Sequence, residues 1–318
     1  MQNPEKVLQR LDWTVIRRLD GLLQGDYRTL FRGFGLDLAD LREYQFSDDI
    51  RYIDWNVTAR LQTPYIRQYV EDREVTAWFL LDLSPSLDFG TVQTLKRNLL
   101  IDMVAVLARL LTRHGNRVGA ILYADKVQGV VPARGGKPQV LRLINDLLNQ
   151  PQIKKAPLTD LAALLEAALR TFRRRSLVFI LSDFISAPGW DRPLGMLTQR
   201  HEVMAVRLYD PREMEMPNIG PLVLEDSETG EQLYVDTRDK GFRKRFVEAA
   251  RRREYQLGAV FARLGVDSMA ISTEENLANE LIRFAMLRKQ KKTAPASFAG
   301  SRAHGETHQW RITARPGT

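Results

Sequence analysis

Two apolar runs restrict what this chain can fold into more than anything else in it. Val75-Thr76-Ala77-Trp78-Phe79-Leu80-Leu81 and Leu177-Val178-Phe179-Ile180-Leu181 are of strand length and carry no charge. The first ends in Asp82, the second in Ser182-Asp183. A strand without polar alternation has no face to offer water, so it belongs in a sheet covered on both sides.

The rest of the chain supplies the cover. Leu95, Leu99, Met103, Val106 and Leu110 form one stripe of a helix running to about His114, which Thr91 could cap and Gly115-Asn116 end. Arg117 to Tyr123 and Lys126 to Val131 read as a hairpin across Ala124-Asp125. Helices are expected over 138–149 and 159–172, a short one up to about Gln199, a strongly charged one over 239–264 and a last one over 274–287. Strands are expected at 202–209 and 268–271, and a second hairpin joins 222–224 to 233–235 across Glu228-Thr229-Gly230. Alternation of this kind predicts an α/β fold: a doubly wound, mostly parallel sheet with an antiparallel edge hairpin. Upstream, Val7, Leu8, Leu11, Val15, Ile16, Leu19, Leu22 and Leu23 recur at helical spacing, predicting a helix over 4–24. The expected organisation is an N-terminal helix and extension bracing the sheet (1–74), the α/β domain (75–287) and a tail (288–318).

Charge matters here for where it lies. The net charge is +8, but Leu287 to Thr318 holds seven basic residues against Glu306 alone. That segment carries +6 and leaves about +2 for everything before it, so the body is nearly balanced. Rich in Ala, Ser, Gly, Thr and Pro, the segment reads as a basic disordered tail. Cysteine is absent, which removes disulfides and thiolate chemistry. No run approaches the roughly 18 apolar residues of a membrane helix, and Met1 to Arg10 lacks the features of a secretion signal. A cytoplasmic protein is expected.

In open α/β sheets ligands sit beyond the carboxyl ends of strands, where strand order reverses. Asp82-Leu83-Ser84-Pro85-Ser86 follows one apolar strand, Asp183 the other, and Thr159 opens a helix after a loop. If the two strands are neighbours, Asp82, Ser84, Ser86, Thr159 and Asp183 converge. Two carboxylates and three hydroxyls are hard oxygen donors, suited to Mg²⁺ or Mn²⁺ and not to zinc. Neutral hydroxyls leave the ion electrophilic, able to take a carboxylate from a partner. Each residue also has an ordinary role open to it: Asp82 in a Ser/Pro turn, Thr159 as a helix cap, Asp183 in a turn.

Asp82-x-Ser84-x-Ser86 with Thr159 and Asp183 resembles the metal-ion-dependent adhesion site of von Willebrand factor type A domains. Gly35-Leu36-Asp37, Arg42-Glu43-Tyr44, Asp48 to Trp55, Thr58-Ala59-Arg60 and Arg67-Gln68-Tyr69 are similar to the bacterial family called domain of unknown function 58. The likeness covers roughly residues 30 to 285 and looks like the short form without membrane helices. It implies that the serines and Thr159 ligate the ion while the acids often act through water. It further implies partnership with AAA+ ATPases of the MoxR type, in protein assembly or metal insertion. Arg51, Asp54, Trp55 and Arg60 could form a recognition surface or a salt-bridged brace for the N-terminal extension, with the brace favoured.

An enzyme fits less well. There is no Gly-x-Gly-x-x-Gly, no Walker sequence and no Gly-x-Ser-x-Gly elbow, and Ser84 has no evident base. A metal hydrolase built on Asp82 and Asp183 would want more carboxylates and a positioned base. Nucleic-acid binding through the tail and Phe242-Arg243-Lys244-Arg245 or Arg251-Arg252-Arg253 is a third reading. A solvated helix face, with Phe246, Ala249 and Ala250 inward, is the plainer account of those residues. The expectation is a non-catalytic, metal-dependent protein-binding module.

Overall fold

The computed structural model describes residues 3–22, 40–45, 48–50, 53, 55–68, 75–91, 94–153 and 156–293. In chain order its elements are α1 (Pro4–Leu11), a π-helical stretch (Asp12–Ile16), α2 (Arg17–Leu22), β1 (Asp40–Glu43), α3 (Trp55–Leu61), β2 (Tyr65–Gln68) and β3 (Thr76–Asp82). There follow α4 (Lys96–Arg113), β4 (Arg117–Tyr123), β5 (Val127–Arg134), α5 (Gly136–Leu148), α6 (Leu161–Thr171), β6 (Leu177–Ser182), α7 (Asp191–Thr198) and β7 (Glu202–Tyr209). The chain continues through β8 (Pro221–Glu225), β9 (Gln232–Asp236), α8 (Lys240–Leu264), β10 (Asp267–Ser272) and α9 (Leu277–Thr293).

Six strands form the central sheet in the order β10-β7-β6-β3-β4-β5. All its pairs are parallel except β4 with β5, the antiparallel edge. The two apolar strands, β3 and β6, are direct neighbours with Phe79 opposite Phe179. Strand order runs one way from β3 through β4 and the other way from β6 through β7, so the reversal point lies between them. The doubly wound, mostly parallel α/β sheet expected from the alternation is the fold observed.

The unbroken apolar runs work because side chains alternate faces. Ala77, Phe79 and Leu81 enter a layer with α4, α5 and α9, while Trp78 and Leu80 enter the opposite one with α6, α7 and Phe261 of α8. Each large side chain buried this way stabilises the fold by about 1.5–3 kcal/mol. Ring contacts tie the layers to the sheet: Phe79 stacks on Phe179 at 5.3 Å and Trp78 on Phe172 at 4.7 Å. Val7, Leu8, Leu11, Val15, Ile16 and Leu19 pack into the α4 side. The N-terminal helical segment therefore lies outside α4 and α5 as an extra layer, with Arg10 paired to Asp102.

Several boundaries differ from expectation. Helix α4 starts at Lys96, with no side-chain cap, because Thr91 is engaged elsewhere: its N–H and hydroxyl both donate to Asp210. Asp160, not Thr159, caps α6 by accepting from Ala162 N at 3.0 Å. Helix α9 begins at Leu277 and runs to Thr293, past Leu287; residues 294–318 of the expected tail lie outside the described residues. On α8 only Ala250 of the three residues expected inward is buried, since the helix rests on α7 and β10 through its C-terminal half. No described helix is long and apolar enough to cross a membrane.

Candidate functional site

Asp82 is the last residue of β3 and is fully buried. One carboxylate oxygen accepts Ser84 N at 3.0 Å, and the other accepts the Ser182 hydroxyl at 2.6 Å. The first bond bends the chain out of the strand; Leu87 N then closes a 3₁₀ turn on Ser84 O at 3.0 Å. That turn brings the Ser84 and Ser86 hydroxyls to 3.1 Å of each other. The ordinary turn role of Asp82 and the gathering of both serines are thus parts of one geometry.

Across the reversal point Asp183 follows β6. Its carboxylate accepts Ile185 N at 3.0 Å and the Lys96 ammonium at 2.8 Å. Between them Phe184 has φ +58°, a left-handed backbone that costs a bulky residue on the order of 1–3 kcal/mol. The Phe184 ring, packed edge-on to Phe261 at 5.1 Å, helps hold that bend. Lys96 is itself fully buried and also donates to Glu213 at 2.5 Å. Burial alone would lower its pKa, but Asp183 and Glu213 outweigh it and hold the ammonium above its ordinary value. For Asp82 the balance goes the other way. Burial first, then repulsion from Asp183, push its carboxyl from 3.8 up to about 6.

Thr159 reaches the same crevice from the α5–α6 loop. Its carbonyl accepts from Ser186 Oγ at 2.9 Å and Ala187 N at 2.8 Å, in the loop after Asp183. The next N–H, of Asp160, donates to the Tyr123 hydroxyl at 3.0 Å, and Tyr123 is the residue paired with Asp82 across β3–β4. The loop is therefore pinned to both strands that flank β3. The Thr159 hydroxyl, however, is not hydrogen-bonded to the serines. It donates to Glu228, from the β8–β9 turn, which also accepts Thr159 N at 2.7 Å.

The structure thus brings Asp82, Ser84, Ser86 and Asp183 into one buried cluster, while Thr159 is bound by Glu228, whose carboxyl feels the charge of Asp183. Sequence reasoning missed Ser182, Lys96, Glu213 and Glu228. It also missed Asp210, which follows β7 as Asp183 follows β6, and here a signal existed: a third strand followed by an acid. Asp210 accepts from Thr91, Arg212 and Thr273 and anchors the capping turn that positions Glu213. Of the second predicted set, Arg51 and Asp54 lie outside the described residues. Trp55 and Arg60 stand on α3, with Trp55 70% exposed.

A divalent ion is compatible with this donor set. Among the described residues no three or more His, Asp or Glu side chains are grouped so that they could hold a metal ion. Four carboxylates, Asp82, Asp183, Glu213 and Glu228, share the region with one ammonium. No cation pairs with Asp82 among the described residues. The cluster is short of positive charge, and hard oxygens would accept it as Mg²⁺ or Mn²⁺. Acyl-transfer chemistry finds less here: the Ser84 hydroxyl meets another serine rather than a base, and His201 packs edge-on against Phe172 at 5.6 Å.

Fold and site together define a doubly wound α/β domain with a buried carboxylate–hydroxyl cluster at its strand-order reversal. The model of the family described as protein of unknown function DUF58 matches residues 40–256, and the chain belongs to that family. It is 35% identical over 283 residues to uncharacterized proteins of Mycobacterium bovis and Mycobacterium tuberculosis, covering 89% of this chain and 89% of each relative. Among solved structures it is similar to the conserved hypothetical protein BatB from Bacteroides thetaiotaomicron. That similarity has a TM-score of 0.43 and 12% identity, and covers 68% of this chain and 99% of the other.

Proposed function

We propose that this chain is a non-catalytic, metal-dependent protein-binding module. Asp82, Ser84, Ser86, Thr159 and Asp183 would hold Mg²⁺ or Mn²⁺, directly or through water. The ion would supply an electrophilic position for an Asp or Glu of a partner protein. The observation that carries this reading is Asp82, a carboxylate with no exposure to solvent and, among the described residues, no paired cation. Burying an unpaired carboxylate costs several kcal/mol, and a cation-binding role gives that expense a purpose. The family resemblance points to a MoxR-type AAA+ ATPase as the partner, acting with this chain in protein assembly or maturation.

Titration of the purified chain with Mn²⁺, followed by electron paramagnetic resonance, tests the metal. Saturable binding by the wild type, weakened at least about tenfold in Asp82→Ala, is expected from the loss of a ligand group. Equal affinities would remove the metal from the function. The partner is tested by capture from native lysate with and without EDTA. A MoxR-type ATPase retained only without chelator supports the reading; one retained equally in both contradicts metal dependence.

A further inference from the structure

The β8–β9 hairpin stands apart from the central sheet and, among the described residues, pairs only with itself. Its strands are mostly exposed, with Val223, Leu233 and Tyr234 open to solvent. Two-stranded hairpins alone are marginal in water, so what holds the tip matters. At the turn, Asp226 accepts the N–H groups of Glu228 and Thr229 at 2.9 and 2.8 Å, and Gly230 closes it with φ +71°. This local turn aims Glu228 away from solvent: only 4% of it is exposed. Its backbone carbonyl accepts Ala156 N at 3.1 Å, and its carboxylate takes both donors of Thr159.

Turn acids ordinarily face water. Here one is buried, and the charge of Asp183 reaches it, in a region already rich in carboxylates. A hydroxyl has one proton and two lone pairs. Thr159 gives its proton to Glu228, so what it retains for an ion is its lone pairs. We propose that Glu228 is a positioning residue of the cation site: it orients Thr159 as an oxygen donor, adds negative charge behind it, and thereby ties the β8–β9 arm to site occupancy. This rests on the cation-binding reading above. Groups that orient metal ligands from behind in this way typically affect metal affinity by about 10–100-fold.

The test uses the full chain and Mn²⁺ alone as probe, with wild type, Asp82→Ala, Glu228→Gln and Glu228→Asp. Paramagnetic resonance gives the affinities, and hydrogen exchange at 226–230 reports the arm. Glu228→Gln should bind Mn²⁺ about 10–100-fold more weakly, and Glu228→Asp, which keeps the charge, should recover part of the loss. Mn²⁺ should slow exchange at 226–230 in the wild type and leave it unchanged in Glu228→Gln. A merely structural latch would loosen in Glu228→Gln without any response to Mn²⁺ in the wild type, and that result overturns the proposal. If Glu228→Gln fails to fold, wild-type affinity in Glu228→Asp together with exchange that ignores Mn²⁺ overturns it equally. Wild-type affinity in Glu228→Gln, with Asp82→Ala impaired, refutes the role of Glu228 while the cation site stands. A wild type that binds no Mn²⁺ refutes both.

Discussion

Within one strand, β3 passes between two regions built on opposite terms. Its middle, Phe79 and Leu80, is packed among apolar side chains from both layers. Its end, Asp82, is equally buried but lies among carboxylates, hydroxyls and one ammonium. In the middle every atom present adds contact, and removal leaves a void. At the end, burial opposes the charges it contains, and only specific pairings offset it. The sign of a substitution should therefore depend on which region it strikes.

The largest effects bracket that contrast. Phe79→Ala should cost about 3–5 kcal/mol by opening a cavity against Phe179. Lys96→Met should cost a similar amount, about 3–5 kcal/mol, for a different reason: it leaves Asp183 and Glu213 without their shared cation. Both are measurable by denaturant unfolding of metal-free protein. Should Lys96→Met prove neutral, the end of the strand would be no more demanding electrostatically than the surface.

Asp82→Asn should move the other way. A carboxyl raised from 3.8 to about 6 binds its proton more tightly folded than unfolded. The metal-free fold therefore loses stability as pH rises from the lower value through the higher, and above pH 6 the whole cost is present. Removing the charge should stabilise the metal-free protein at pH 8 by up to about 3 kcal/mol, and on the proposed metal site it should abolish any stabilisation by Mn²⁺. Destabilisation at pH 8 would mean that its bonds to Ser84 and Ser182 outweigh its charge.

The smallest effect is expected in the apolar region. Burial lowers the pKa of His201, which rests against Phe172, so the unfolded chain takes up its proton first. Stability is fully present above the ordinary histidine value of about 6.5 and declines as pH falls below it. His201→Phe should flatten that part of the pH profile, followed by thermal melting from pH 7.5 to 5. An unchanged profile would assign the acid sensitivity to another group.

How much could be read in advance varied by element, and the two hairpins show why. Both were legible as hairpins from alternation and turn residues. Yet β5 joins the sheet edge, whereas β8 and β9 stay outside and deliver Glu228 to the crevice. Local patterning specifies that two strands pair; it carries nothing about where the turn will dock. The same limit explains Thr91, a plausible cap that Asp210 claims from far along the chain. Asp82, Ser84 and Ser86 were legible because they are adjacent, and Asp183 because it ends a second apolar run.

By itself the sequence determined the alternation of strands and helices, the two doubly buried strands and the acids that end them, since these follow from period and local turn chemistry. Tertiary structure alone decided that Lys96, Glu213 and Glu228 would share the crevice with those acids. Charges distant in the chain meet only once the sheet has set the strand ends side by side, and no local pattern encodes that distance.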